Sequence, residues 1–324
     1  MPSAATARRV ALTAYAVTLG VYCLVQGIPI DRLLQAVWIV AGIVAAKVGR
    51  PLRELARVLL DWTPFIGLLL AYDFTRGVAD TFGAPVHVLG PVRADEVMFA
   101  PLLHGQVPTV WLQDQLYDPT TVSWWEVGVA IIYFTHFIVP WALAGVLYVR
   151  DRVAWRGYAV RIVALSAAGL ATYALYPAAP PWMASDQGVI TADVARTATR
   201  GWSVLGLHDA GVLLAHAQAG VNLVAAMPSL HAASTLLVAV ILWQRTRRRV
   251  LRVLLVAYPP AMAFTLVYGG EHYVIDVLVG WLYVLAVLVV ASAIERALAA
   301  RAALRRAQAQ RPEAEPSLVS RSAG

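Results

Sequence analysis

The stretch AAMPSLHAAST, residues 225–235, decides how the rest of the chain is read. It reads as a small-residue loop, then Pro228, then an apolar helix opening at Ser229. Proline near a helix start has its φ preset and gives up an amide that would be unpaired anyway. His231 therefore belongs in the first turn of a buried helix. Such a start points free N–H groups and a positive dipole end at whatever lies ahead of it, which suits an anion. A second stretch answers the first: YGGEHYVIDVLVGW, residues 268–281. Its His272 and Asp276 stand four apart at the start of another apolar helix, a spacing that puts them on one face.

The chain around these stretches is a membrane protein by composition. Of 324 residues, 60% are hydrophobic and 14% charged, against about 25% charged in a soluble domain. Eight apolar runs recur, at about 10–30, 33–49, 54–72, 125–149, 158–176, 229–244, 250–268 and 273–295. The expected fold class is all-α, a polytopic transmembrane helix bundle. The first run lacks a small-residue cleavage site, so no signal peptide is expected. The single cysteine, Cys23, excludes an intrachain disulfide. No repeat of fixed period is present.

The net charge of +7 raises nucleic acid as a partner, but the positions of the basic residues argue against it. Across the eight spans, 21 of the 26 Lys and Arg residues flank one side. By the positive-inside rule that side is the cytoplasm, with both termini on it. The long connections, about 73–124 and 177–228, then lie outside, folded over the bundle with Trp and Tyr at headgroup level. His231 and His272 are separated by two crossings and the basic turn QRTRRRVLR, so both fall at the same outer face.

Two histidines at one depth suggest phosphoryl transfer. A neutral imidazole attacks phosphorus; a partner fixes its tautomer; a second group protonates the departing oxygen. His272 with Asp276 fits the first two needs, and His231 the third. Amides at the start of the sixth span, with the Ser229 hydroxyl, are placed to hold non-bridging oxygens. The scheme needs no metal and no cofactor.

PSLH at 228–231, HYVID at 272–276 and YPAAPPW at 176–182 resemble the type 2 phosphatidic acid phosphatase (PAP2) superfamily. They are closest to its inositol phosphorylceramide synthase-like branch. YDFTRG at 72–77 is similar to a segment of that branch's bacterial members. The resemblance implies a six-helix catalytic core within residues 54–295, preceded by a transmembrane hairpin at 1–53 and followed by a disordered basic tail at 296–324. It implies a phosphohistidine intermediate, a phospholipid or lipid-phosphate substrate, and His231, His272 and Asp276 as the catalytic residues. Phosphoinositol transfer to a lipid or glycolipid is the leading activity, and lipid phosphate hydrolysis the alternative. A transporter or lipid-binding scaffold is a third reading. The Ala/Arg/Val-rich composition suggests a GC-rich bacterial genome, where ceramide is an unusual acceptor. No protein partner is indicated.

The chain departs from the wider superfamily at phosphate recognition. Leu266 stands where an arginine is expected six before the second histidine, and KVGRP at 47–51 imitates a Lys-x6-Arg-Pro element with the wrong spacing on the cytoplasmic side. The branch itself is described as lacking that element. Arg76, beside Tyr72 and Asp73 at the end of the third span, is the leading phosphate-binding cation, followed by Arg93, Arg196 and Arg200. Trp182, ending YPAAPPW, reads either as part of a rigid turn or as a wall of the substrate pocket. His136 reads as a hydrogen-bonded core histidine. Asp61 reads as paired with a Trp or a backbone amide, bracing a kink at Pro64.

Overall fold

A computed structural model describes residues 3–26, 32–81, 85–207 and 222–309; for residues 72–81 and a few others, Arg32 among them, the description stops at the backbone. Its helices are α1 (Ala4–Gln26), α2 (Arg32–Lys47), α3 (Leu52–Thr81), α4 (Leu89–Leu103), α5 (Pro108–Leu116), α6 (Glu126–Arg150), α7 (Arg152–Leu175), α8 (Pro181–Asp186), α9 (Leu230–Arg245), α10 (Arg249–Tyr268) and α11 (Val274–Ala309). A 3-10 turn covers Arg200–Leu205. Among the described residues, β pairing is confined to isolated parallel bridges joining His87, Ala178 and Ala225.

Each expected span appears as a helix. Five of them, α1, α6, α7, α10 and α11, are long and apolar enough to cross a membrane, so the chain is a multi-pass membrane protein. The apolar runs of α2 and α9 are shorter. Helix α3 is long but interrupted by Asp61 and loaded with Asp73, Arg76 and Asp80 toward its end. Boundaries shift where polar residues extend a helix past its apolar run. Asp151 accepts from the Ala154 amide at 3.0 Å, so α7 begins at Arg152 instead of near 158. Helix α11 continues through the Ala/Arg stretch to Ala309, because those residues favour helix outside the lipid as well. Residues 310–324 of the expected disordered tail lie outside the described residues.

Helix α9 is the hub. It packs against α6, α7, α10 and α11, and its first turns bury Ala232, Ala233, Ser234, Thr235 and Leu237. Small side chains there let the neighbouring helices approach closely, which is how helices associate in lipid. One end of the bundle is filled by Trp62, Phe65, Tyr158, Trp155 and Leu237. Asp61 sits there, and its partner corrects the expectation of a Trp or an amide. It forms an ion pair with Arg152 and accepts the Tyr148 hydroxyl at 3.2 Å. A half-buried carboxylate within an apolar span favours a cation over a neutral donor, and Arg152 on α7 supplies it.

The connections between spans are folded against the other end. Gln113 of α5 donates to the carbonyls of Ala195 and Tyr268, both at 2.8 Å, and accepts from the Ala195 amide at 2.9 Å. One buried side chain thus ties the first connection, the second and the end of α10 together. Arg200 pairs with the buried Glu126 at 3.1 Å, fastening the 3-10 turn to the start of α6.

Candidate active site

The first helix start forms as the sequence indicates. Ser229 is the N-cap of α9, its side chain accepting from the Ala232 amide at 3.3 Å. His231 is the second residue of the helix. Three segments hold this start in place. His87 donates its amide to Pro177 at 2.8 Å and accepts from Ala179 at 3.1 Å. Ala178 in turn donates to Val224 at 2.8 Å and accepts from Ala226 at 3.2 Å. The YPAAPPW segment is therefore the middle of a short backbone ladder, and the Tyr173 hydroxyl adds a bond to the Pro228 carbonyl at 2.8 Å.

The second start differs in one respect from the sequence reading. Helix α11 begins at Val274, so His272 precedes it instead of lying in its first turn. Gly270 makes the bend possible. It sits at φ +73°, and a Cβ there would meet the Ala195 carbonyl at 2.9 Å. Asp276 reaches back to accept the Tyr273 amide at 2.9 Å. That places its Oδ2 3.5 Å from His272 Nδ1. The shorter contact of Nδ1 is to the Ala226 carbonyl, 2.8 Å away. A carbonyl only accepts, so Nδ1 carries the hydrogen and Nε2 keeps the free lone pair. The tautomer is thus fixed mainly by Ala226, on the ladder, with Asp276 flanking.

The two starts are joined directly. The Ser229 amide donates to the Asp276 carbonyl at 3.0 Å, and the rings of His231 and His272 lie with centroids 5.6 Å apart. His231 Nε2 is buried and has no hydrogen-bond partner among the described residues.

Two residues at this site carried no strong sequence signal. Asp95, fully buried on α4, accepts the Val274 and Ile275 amides, each at 2.9 Å. With Asp276 on Tyr273, two carboxylates occupy three amides at the start of α11, so this start is closed to an anionic ligand. Burial pushes the Asp95 carboxyl up to about 6, with the two amides pulling it down and the charge of Asp276 adding to the rise. The second residue is His136. Its ring lies 3.9 Å from that of His231, and its Nδ1 is 2.9 Å from Ser234 Oγ. It is hydrogen-bonded, as expected, but its partners belong to the site. Asp95 sits far from both motifs in sequence, and His136 stands alone in an apolar span; only the packing of α4 and α6 reveals them.

The remaining candidates divide. The Ser229 hydroxyl oxygen is engaged in capping. The Trp182 amide donates to the Gly270 carbonyl at 3.3 Å, and the Trp182 ring carries the Arg196 guanidinium 4.7 Å from its centroid. Arg196 pairs with Glu271, the neighbour of His272, at 3.1 Å. Arg200 is committed to Glu126 and to the Asp118 and Thr121 carbonyls. Arg93 is exposed on α4. Leu266 is fully buried in the core beneath the site. The side chains of Tyr72, Asp73 and Arg76 lie outside the described residues; their backbone is in the last turns of α3.

Comparison with known proteins places the chain in a family. A family model described as "PAP2 superfamily" matches residues 109–290, which include both histidines and Asp276. A protein of Bacteroides thetaiotaomicron named phosphoinositol dihydroceramide synthase is 28% identical over 240 residues, covering 72% of this chain and 75% of the relative. No solved structure matches.

Proposed function

This chain belongs to the PAP2 superfamily, and from that premise we propose that it moves phosphoinositol from phosphatidylinositol to a lipid or glycolipid alcohol at the extracytoplasmic face. At the level of the family it is an integral-membrane lipid phosphatase or phosphotransferase. The observation that carries phosphoryl transfer through a histidine is the pairing of His231 and His272 at 5.6 Å, with His272 Nδ1 held by the Ala226 carbonyl. The name of the Bacteroides relative favours transfer over hydrolysis.

In the first step His272 Nε2 forms a bond to phosphorus. The bond to the diacylglycerol oxygen breaks, and that oxygen takes its proton from His231. In the second step the acceptor hydroxyl gives its proton to His231 and attacks phosphorus, and the P–N bond returns its electrons to Nε2. Asp276 and the Ala226 carbonyl stabilise the positive charge on the phosphorylated imidazole. The Leu230 and His231 amides at the start of α9 face the non-bridging oxygens. A diester in a site of low dielectric also needs a cation. Arg76 is the first candidate and the exposed Arg93 the second, since Arg196 and Arg200 already have carboxylate partners. An apolar cleft of about 320 Å³, lined by Phe99, Leu102, Trp111, Phe264 and Val274, lies next to α11's start and suits an acyl chain.

Purified protein incubated with inositol-labelled phosphatidylinositol and membrane lipid tests the reading. A new labelled lipid supports transfer. Free inositol phosphate alone supports the phosphatase alternative, and unchanged substrate refutes both.

A further inference from the structure

We propose that His136 is a positioning residue for His231, the group that protonates the leaving oxygen; the inference rests on the roles given to His231 and His272 above. Helix α6 passes His231 with three rings on two successive turns. Tyr133 stacks on it at 5.3 Å and 18°, His136 lies at 3.9 Å and 35°, and Phe137 meets it edge-on at 5.8 Å and 81°. These rings restrict the His231 side chain to one orientation. Two of them also offer π surface to the cation that His231 becomes when it holds its proton.

The hydrogen bonds explain why the middle ring is a histidine. The Ser234 hydroxyl donates to the His231 carbonyl at 3.3 Å. Its oxygen therefore accepts from His136 Nδ1, 2.9 Å away. His136 is locked to the same turn of α9 that carries His231, through a serine on that turn. A phenylalanine would supply the ring without the lock. Lateral sliding of α6 against α9 would then be less restrained and could shift the rings around His231. An acid displaced from its path loses much of its effect, because proton transfer depends on hydrogen-bond-range geometry. His136 contacts neither phosphorus nor the leaving oxygen in this scheme, so its effect runs through His231.

The test compares two substrates with the same phosphoinositol group. Phosphatidylinositol has an alkoxide leaving group that needs an acid, and the nitrophenyl diester of inositol phosphate does not. His136→Ala should lower kcat on phosphatidylinositol by roughly 10- to 100-fold, with KM little changed. On the nitrophenyl diester the loss should be under about threefold, since the acid contribution is absent there. His136→Asn, whose amide nitrogen reaches Ser234 much as Nδ1 does, should recover part of the loss on phosphatidylinositol. Equal losses on both substrates, or no loss on either, overturn the inference. If His136→Ala does not fold, Ser234→Ala, which removes the same bond, is judged by the same selectivity, and its absence there is decisive against the proposal. His272→Ala separates this from the parent reading: full activity there would remove the catalytic assignment itself.

Discussion

Gly280→Ala is the most economical way to pry the site open without touching a reacting group. Gly280 lies one turn beyond Asp276 on α11, against the N-cap of α9. A Cβ at 280 would stand 2.5 Å from the Ser229 carbonyl oxygen and 3.5 Å from Ala233 Cβ. Ordinary contact begins near 3.4 Å, so the seam must open by about 0.9 Å. The obstacle is backbone, which cannot swing aside as a side chain would. The same seam carries the Ser229 amide to the Asp276 carbonyl at 3.0 Å, and it sets the 5.6 Å between the histidine rings. Overpacking of this kind costs about 1–3 kcal/mol, offset by about 0.5–1 kcal/mol from replacing a helical glycine. A displacement near 1 Å at a reacting centre lowers rate by about 10²-fold. Gly280→Ala should therefore fold in detergent with a modestly lowered Tm and turn over about 10- to 100-fold more slowly. Gly67→Ala, on α3 with nothing within 4 Å, is the control and should leave turnover unchanged. A folded Gly280→Ala protein with wild-type kcat would refute the claim that this seam sets the ring separation.

Three other outcomes are expected. Asp95→Ala leaves two part-buried amides without that acceptor and should destabilise the protein, the more so at lower pH. The folded-state carboxyl titrates near 6, above its ordinary 3.8, so the folded protein holds a proton that the unfolded chain has released between those values. Wild type thus gains up to about 3 kcal/mol as pH falls through that window, and Asp95→Ala does not; a gap in thermal stability that narrows on acidification would contradict this. Asp276→Asn should keep the His272 tautomer, because the Ala226 carbonyl holds Nδ1, and should cost about 10²–10³ in kcat through lost stabilisation of the imidazole cation; a wild-type rate would remove Asp276 from the mechanism. A cysteine at Thr120 should react with an impermeant thiol reagent in intact cells and one at Arg247 should not, with the native Cys23 as background; the reverse pattern would invert the orientation.

The bundle was legible because lipid imposes length and hydropathy on most of the spans, and the two helix starts because Pro228, Ser229 and the His272–Asp276 spacing are local signals. That His231 and His272 lie at one end of the bundle follows from counting two crossings between them; that their rings meet does not. What the sequence concealed is long-range and polar. Asp95 looks like any acidic residue of an amphipathic connection, and nothing near it names Val274 and Ile275 as its partners. His136 looks like a core histidine until α6 is packed on α9. YPAAPPW left open whether it braces or binds; its backbone forms the ladder that carries the Ala226 carbonyl to His272. Asp61 was assigned a neutral partner because Arg152 lies on another helix, one whose start the hydropathy pattern placed too late.

The claim on which the rest depends is that His272 Nε2 becomes bonded to phosphorus. Rapid-quench mass spectrometry of the purified protein mixed with the nitrophenyl diester of inositol phosphate measures this directly. An acid-labile phosphoinositol adduct is expected on the peptide containing His272, absent from His272→Ala and still formed by His231→Ala. No adduct in a protein that turns the substrate over, or an adduct that persists in His272→Ala, would contradict it.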